Sequence, residues 1–148
     1  MKPRPLPEDT LRRRQWCAWA AAVAVGARSA GALADRVHPD RRFYLAAEAM
    51  RQQAIGWGDQ SFGAVLVTAD GVVANGPSRV VKDADPDAHA ERVAIRAAQR
   101  RLGTDNLAGA VLYSTSRPCV ACERAAAQAQ VARMYHGPGL TDAGRPEP

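Results

Sequence analysis

Two short stretches carry the residue types that could do chemistry. They are His89-Ala-Glu91 and, about thirty residues downstream, Pro118-Cys-Val-Ala-Cys122. An imidazole and two thiolates are donors that zinc takes, and three protein ligands leave a fourth position for water. On a helix, Cys119 and Cys122 share one face of one turn, so both sulfurs can reach one ion with His89. Glu91 stands two residues past the histidine, close enough to touch that water without being a ligand. Singly, each residue has an ordinary explanation. His89 could be any histidine near a helix start, Glu91 an acid favoured there by the dipole, and the cysteines a structural or redox pair. Jointly they form the pattern of a catalytic zinc site.

Both stretches must open helices. Asp87 is placed to cap the first, and Val93, Ala94, Ala97, Ala98 and Leu102 then recur at helical spacing until Gly103 stops it. Pro118 suits the first position of the second, whose alanine- and glutamine-rich run reaches Gln130. The positive end of each helix dipole then favours thiolate over thiol. Upstream, Asp40 caps a helix with Phe43, Ala46, Ala47, Met50 and Ala54 on its buried stripe, ended by Gly56 and Gly58. Residues 62–68 and 72–75 read as strands joined by an Asp70-Gly71 turn, and a loop over 76–86 delivers Asp87 and His89. Further strands fall at 111–115 and 133–136, and from Gly137 the chain reads as a loose tail. Strand–helix–strand alternation predicts a helix-flanked, partly parallel sheet.

The motif pair resembles the signature of the cytidine-deaminase-like zinc hydrolases, His-x-Glu followed by Pro-Cys-x-x-Cys. The wider sequence is similar to the branch holding guanine, tRNA adenosine and cytosine deaminases. The residues that carry this are Ser61-Phe-Gly-Ala-Val-Leu-Val67, Asp87-Ala-His-Ala-Glu91 with Ala94-Ile-Arg-Ala-Ala98, and Leu112-Tyr-Ser-Thr-Ser116. The likeness covers roughly residues 40–137. It implies a three-layer α/β/α fold with a mixed four- to five-stranded sheet. It also implies a Zn²⁺ cofactor on His89, Cys119 and Cys122, with Glu91 as the catalytic proton carrier. The backbone around Ala90 and the turn over Ser116, Arg117 and Pro118 would line the substrate pocket, with Phe62 and Ser78 beside it. The implied reaction is hydrolytic deamination of a nucleobase, nucleoside or similar amino-heterocycle.

The chain has 148 residues, enough for one domain with a full core. Its net charge of +5 is unevenly spread: residues 1–34 carry +4 and residues 35–148 only +1. The basic balance therefore gives no support for a nucleic-acid surface. Residues 1–34 read as an export signal, with arginines at 12–14, a short apolar stretch over 16–27, and Ala32-Leu33-Ala34 before Asp35. The paired arginines suggest the twin-arginine route and a periplasmic enzyme; an attached N-terminal helix on a cytoplasmic protein is the alternative. The apolar stretch is too short to favour a membrane span. The expected organisation is a signal over 1–34, the deaminase-like domain over 35–137 and a flexible tail over 138–148. Cys17 falls in the signal, leaving Cys119 and Cys122 as the mature chain's cysteines. His38 and His136 have no such company and are read as structural.

Three departures from the resembled branch bear on substrate. Ser78, after Pro77, stands where relatives have an asparagine that holds the base or sugar. Arg117 stands where the guanine and tRNA branches usually have glutamate. The fifth strand and terminal helices of that branch are expected to be missing or reduced. A small-molecule substrate is therefore expected rather than tRNA, and a homodimer is left open. The competing reading is a deaminase-like zinc-binding module with little or no catalytic activity.

Overall fold

The computed structural model describes residues 39–148. The expected export signal over residues 1–34 with its expected cleavage site, Cys17 and His38 lie outside the described residues. The elements run α1 (Arg41–Gly56), β1 (Gly63–Thr68), β2 (Gly71–Pro77), α2 (Ala90–Leu102), β3 (Val111–Ser114), α3 (Val120–Gln128), β4 (Arg133–His136) and β5 (Thr141–Gly144). The strands form one mixed sheet of five in the order β2-β1-β3-β4-β5. β3 and β4 are the parallel pair, joined across α3, and β1 pairs antiparallel with both β2 and β3. Among the described residues no helix is long and apolar enough to cross a membrane.

The middle of the sheet is apolar on both faces, and each face needs a cover. Successive residues of β1 point to opposite sides. Ala64 and Leu66 join Leu112, Met134, Ala94, Ile95 and Ala126, under α2 and α3. Val65 and Val67 join Val111, Tyr113, Tyr135 and Ala47, under α1. The Tyr113 ring lies between Phe43 and Tyr135, with centroids 5.2 and 5.3 Å away, which keys α1 to the sheet. The result is the three-layer α/β/α arrangement.

α1 begins as its sequence demands, with the Asp40 carboxylate accepting from the Arg42 backbone N–H at 2.8 Å. Other expectations shift. His89 rather than Asp87 occupies the N-cap of α2, and its side chain makes no cap bond. Asp87 instead pairs with Arg92 at 2.6 Å. The buried stripe of α2 is Ala90, Glu91, Ala94, Ile95 and Ala98, and Leu102 is exposed. The helix is thus rotated so that an acid faces inward. Cys119 is the N-cap of α3, which places Pro118 one residue outside, and the helix closes at Gln128 with Gln130 in the left-handed region. β2 runs two residues further than its apolar pattern, to Pro77.

A short fifth strand, β5, is present, which takes the sheet to the upper end of the four to five strands expected and gives part of the stretch read as a loose tail a regular structure. β5 pairs antiparallel with β4, Arg133 and Asp142 form an ion pair at 2.9 Å, and Leu140 packs on the α1-side core. Its sequence, Thr-Asp-Ala-Gly, has no apolar alternation, so nothing local announces a strand.

Gly76 permits a very close approach of helix to strand. A β-carbon there would stand 2.2 Å from the Ala90 carbonyl oxygen and 2.7 Å from the Ala94 backbone nitrogen. The helix carrying His89 and Glu91 therefore rests directly on β2 backbone. Gly76→Ala must lift the start of α2 and is expected to destabilise the protein by about 1–3 kcal/mol, as overpacking does. Urea unfolding would measure this; an unchanged midpoint would show that α2 can move away at no cost.

Candidate active site

The N-termini of α2 and α3 meet at one end of the sheet. The first supplies His89 at its N-cap and Glu91 in its first turn; the second supplies Cys119 at its N-cap and Cys122 in its first turn. The Nδ1 atom of His89 lies 3.6 Å from Cys119 Sγ and 3.5 Å from Cys122 Sγ. Among the described residues this is the group that could hold a metal ion, with its donor atoms all within 4.8 Å of one another. Zinc bonds of about 2.0–2.1 Å to nitrogen and about 2.3 Å to sulfur place tetrahedral N and S ligands about 3.6 Å apart. The donor set and its spacing fit zinc.

His89 can be spared for this because it does no capping, so its ring is free to turn toward the sulfurs. Cys119 does both jobs: its Sγ accepts from the Cys122 backbone N–H at 3.4 Å and stays exposed. Cys122 is fully buried, and its Sγ lies 3.5 Å from Glu91 Oε2. Burial pushes the Cys122 thiol up, and the nearby Glu91 charge adds to this. The helix N-terminus, expected to favour thiolate, is outweighed there. A coordinated thiol is deprotonated outright, so taking up the ion expels this proton.

Glu91 is 5 % exposed, and burial pushes its carboxyl above the ordinary range. Hydrogen bonding from its own backbone N–H and the Cys122 thiol, and the charge of His89, oppose that rise. A carboxyl in this setting can hold a proton and release it.

A cavity of about 130 Å³ opens onto the cluster, lined by Gln60, Phe62, His89, Ala90, Glu91, Ser116, Arg117 and Cys119. Four of the six expected substrate residues, Phe62, Ala90, Ser116 and Arg117, lie in that lining. Ser78 and Pro118 do not. Ser78 is fully buried, and its hydroxyl donates to Asp59 at 2.9 Å. Pro118 is buried beside the cavity and sets the backbone ahead of Cys119.

Two residues escaped the sequence reading. Gln60 enters the cavity wall from the loop after α1. Asp59 organises that loop: burial works against its charge, yet it stays below the usual carboxylate range. It accepts from the backbone N–H groups of Gln60, Val81 and Lys82 as well as from Ser78. A polar residue after a helix-ending glycine was the one local signal.

The family model for the cytidine and deoxycytidylate deaminase zinc-binding region matches residues 37–137. The chain belongs to this family of zinc-binding deaminase domains. It is 43% identical over 75 residues to a tRNA-specific adenosine deaminase of Agrobacterium fabrum, covering 51% of this chain and 49% of that one. It is 38% identical over 82 residues to a guanine deaminase of Bacillus subtilis, covering 55% of this chain and 53% of that one. A longer match, 37% over 123 residues, covers 82% of this chain but 21% of a protein of Deinococcus radiodurans named tRNA(Ile)-lysidine synthase. The chain thus spans about half or less of the length of these curated relatives. In structure it is similar to a chain from work on A-to-I editing by tRNA:A34 deaminases, with TM-score 0.64 and 36% identity, covering 66% of this chain and 71% of that one. The crystal structure of the Bacillus subtilis guanine deaminase superposes with TM-score 0.63 and 32% identity, covering 65% and 62%.

Proposed function

We propose that this protein is a zinc-dependent hydrolase that removes an amino group from a small heterocycle, a nucleobase or nucleoside, and releases ammonia. The observation that carries the reading is the buried Glu91 carboxylate beside a three-donor zinc cluster, both open to one small cavity. A purely structural zinc site has no use for such an acid.

His89 Nδ1, Cys119 Sγ and Cys122 Sγ would hold the ion. When bound, zinc supplies the Lewis acidity that brings water ionisation near neutral pH. Phe62 offers a ring face at the cavity mouth, and Ser116 and Gln60 offer polar groups to the heterocycle's edge. Glu91 accepts a proton from the attacking water and delivers it to the ring nitrogen; it then takes the proton of the newly attached hydroxyl and passes it to the departing amine. The C–N bond breaks as the new C–O bond becomes a carbonyl, so water and substrate leave as the oxo-heterocycle and ammonia. Burial of Glu91 away from water disfavours its ionised form, which lets it hold a proton between these steps.

The small cavity and the near-neutral charge of residues 35–148 favour a free base or nucleoside over tRNA. Ammonia release measured with zinc-loaded protein over a panel of bases and nucleosides tests the reading. Release from at least one is expected; release from none, with zinc bound, would favour a binding module.

The export reading is part of the same proposal. The mature protein is expected to start at Asp35 and to lie outside the cytoplasm, since the arginines, the short apolar stretch and Ala32-Leu33-Ala34 stand in signal order. N-terminal sequencing of the protein from fractionated native cells decides this. An intact chain starting at Met1 and confined to the cytoplasm would overturn it.

A further inference from the structure

Resting on the deaminase reading, we propose that the substrate carries an anionic group, which Arg117 binds at the mouth of the Glu91 cavity. Six arginines of the described residues are tied to carboxylates: Arg42, Arg51, Arg79, Arg92, Arg96 and Arg133. Arg117 joins no such pair and makes no side-chain hydrogen bond, yet it is the one arginine in the lining of this cavity. The cavity's one acid, Glu91, is buried against Cys122 and makes no ion pair with Arg117. A guanidinium offers five donors in a planar fork matched to carboxylate and phosphate. Without a partner among the described residues, that fork is left for the ligand.

The backbone presenting Arg117 is held on both sides. The Ser116 carbonyl accepts from the Ser114 hydroxyl at 2.5 Å, and Pro118 restricts the conformation of the residue before it. Little ordering of the main chain is then required when an anion arrives.

Two placements of the anion suit the surroundings. A carboxylate attached to the ring would sit within the cavity itself. A phosphate on a sugar would need more room, and an adjoining hollow of about 300 Å³ provides it. That hollow shares Phe62 and Ser116 with the cavity and adds Tyr44, Ser61, Thr115 and the Arg51–Glu48 ion pair, whose acid is already neutralised by its partner.

Binding to the zinc-loaded Glu91→Gln protein, which does not consume the ligand, separates these placements by titration calorimetry. Cytosine-5-carboxylate would be compared with cytosine, and cytidine and guanosine 5′-monophosphates with their nucleosides. At least one acid should bind about tenfold or more tightly than its neutral partner, and Arg117→Gln should remove that preference while Arg117→Lys keeps part of it. The pair that shows the preference identifies the source of the anion. Equal binding of acids and neutral partners would overturn the proposal, as would a preference that survives Arg117→Gln. Tight binding of tRNA lost in Arg117→Gln, with no preference among the small acids, would overturn it in favour of a nucleic-acid backbone. Because these readouts are affinities, they can fail while ammonia release succeeds, and the reverse.

Discussion

Glu91→Gln is expected to lower turnover by at least ~10²-fold while the protein keeps its fold and its zinc. Glutamine is nearly isosteric, so Ala94, Ile95 and the rest of the inward stripe of α2 keep their packing. It cannot carry a proton at neutral pH. Every proton transfer in the proposed reaction passes through this one side chain, and the cavity lining offers no second acid to replace it. Because Glu91 is no ligand, metal content should stay near one ion per chain by elemental analysis. Substrate affinity should change far less than the turnover number, since the loss falls on the transition state. Removing the carboxylate also removes the charge that opposes ionisation of Cys122, so zinc should be held at least as firmly as before. Unchanged ammonia release in this variant would rule out Glu91 as the proton carrier. A loss of zinc would place it in the metal shell instead.

Replacing a zinc ligand should have a comparably large effect, read as metal content. Cys119→Ser is the cleaner variant, because serine preserves the N-cap of α3 that Cys119 Sγ now provides. Helix melting then cannot account for a lost ion. His89→Ala is its counterpart on α2, where the side chain makes no cap bond to lose. Zinc binding in small protein sites is worth about 10–16 kcal/mol, so one bond of the set is worth roughly 3 kcal/mol and its loss weakens affinity by ~10²-fold or more. Dialysis against a chelator should strip both variants at concentrations that leave the parent loaded. Acid should act in the same direction. The Cys122 thiol is pushed up by burial, so protons compete strongly for that sulfur and zinc retention should fall as pH falls. Parent-like zinc retention in both variants would refute this ligand set.

The sequence by itself determined the chemistry and the general architecture. Metal donors are few in kind, and their spacing on a helix is fixed by its period, so His89, Glu91, Cys119 and Cys122 could be read as one site before any coordinates. The Asp40 cap, the existence of the β1–β2 hairpin and the span of β4 were equally legible, because short-range rules govern caps, tight turns and apolar runs. The turn itself falls one residue earlier than read, on Ala69-Asp70, with Gly71 already paired in β2. Tertiary structure decided what depends on distant partners. β5 exists because β4 offers an edge and Asp142 meets Arg133, a fact absent from the four residues themselves. Ser78 turned inward because Asp59, nineteen residues away, needed a donor. The rotation of α2, which puts Glu91 in the core and Leu102 in water, follows from the bare backbone at Gly76 against which the helix rests. Periodicity can say that a helix has an inner face; only the surface it packs on says which residues that face contains.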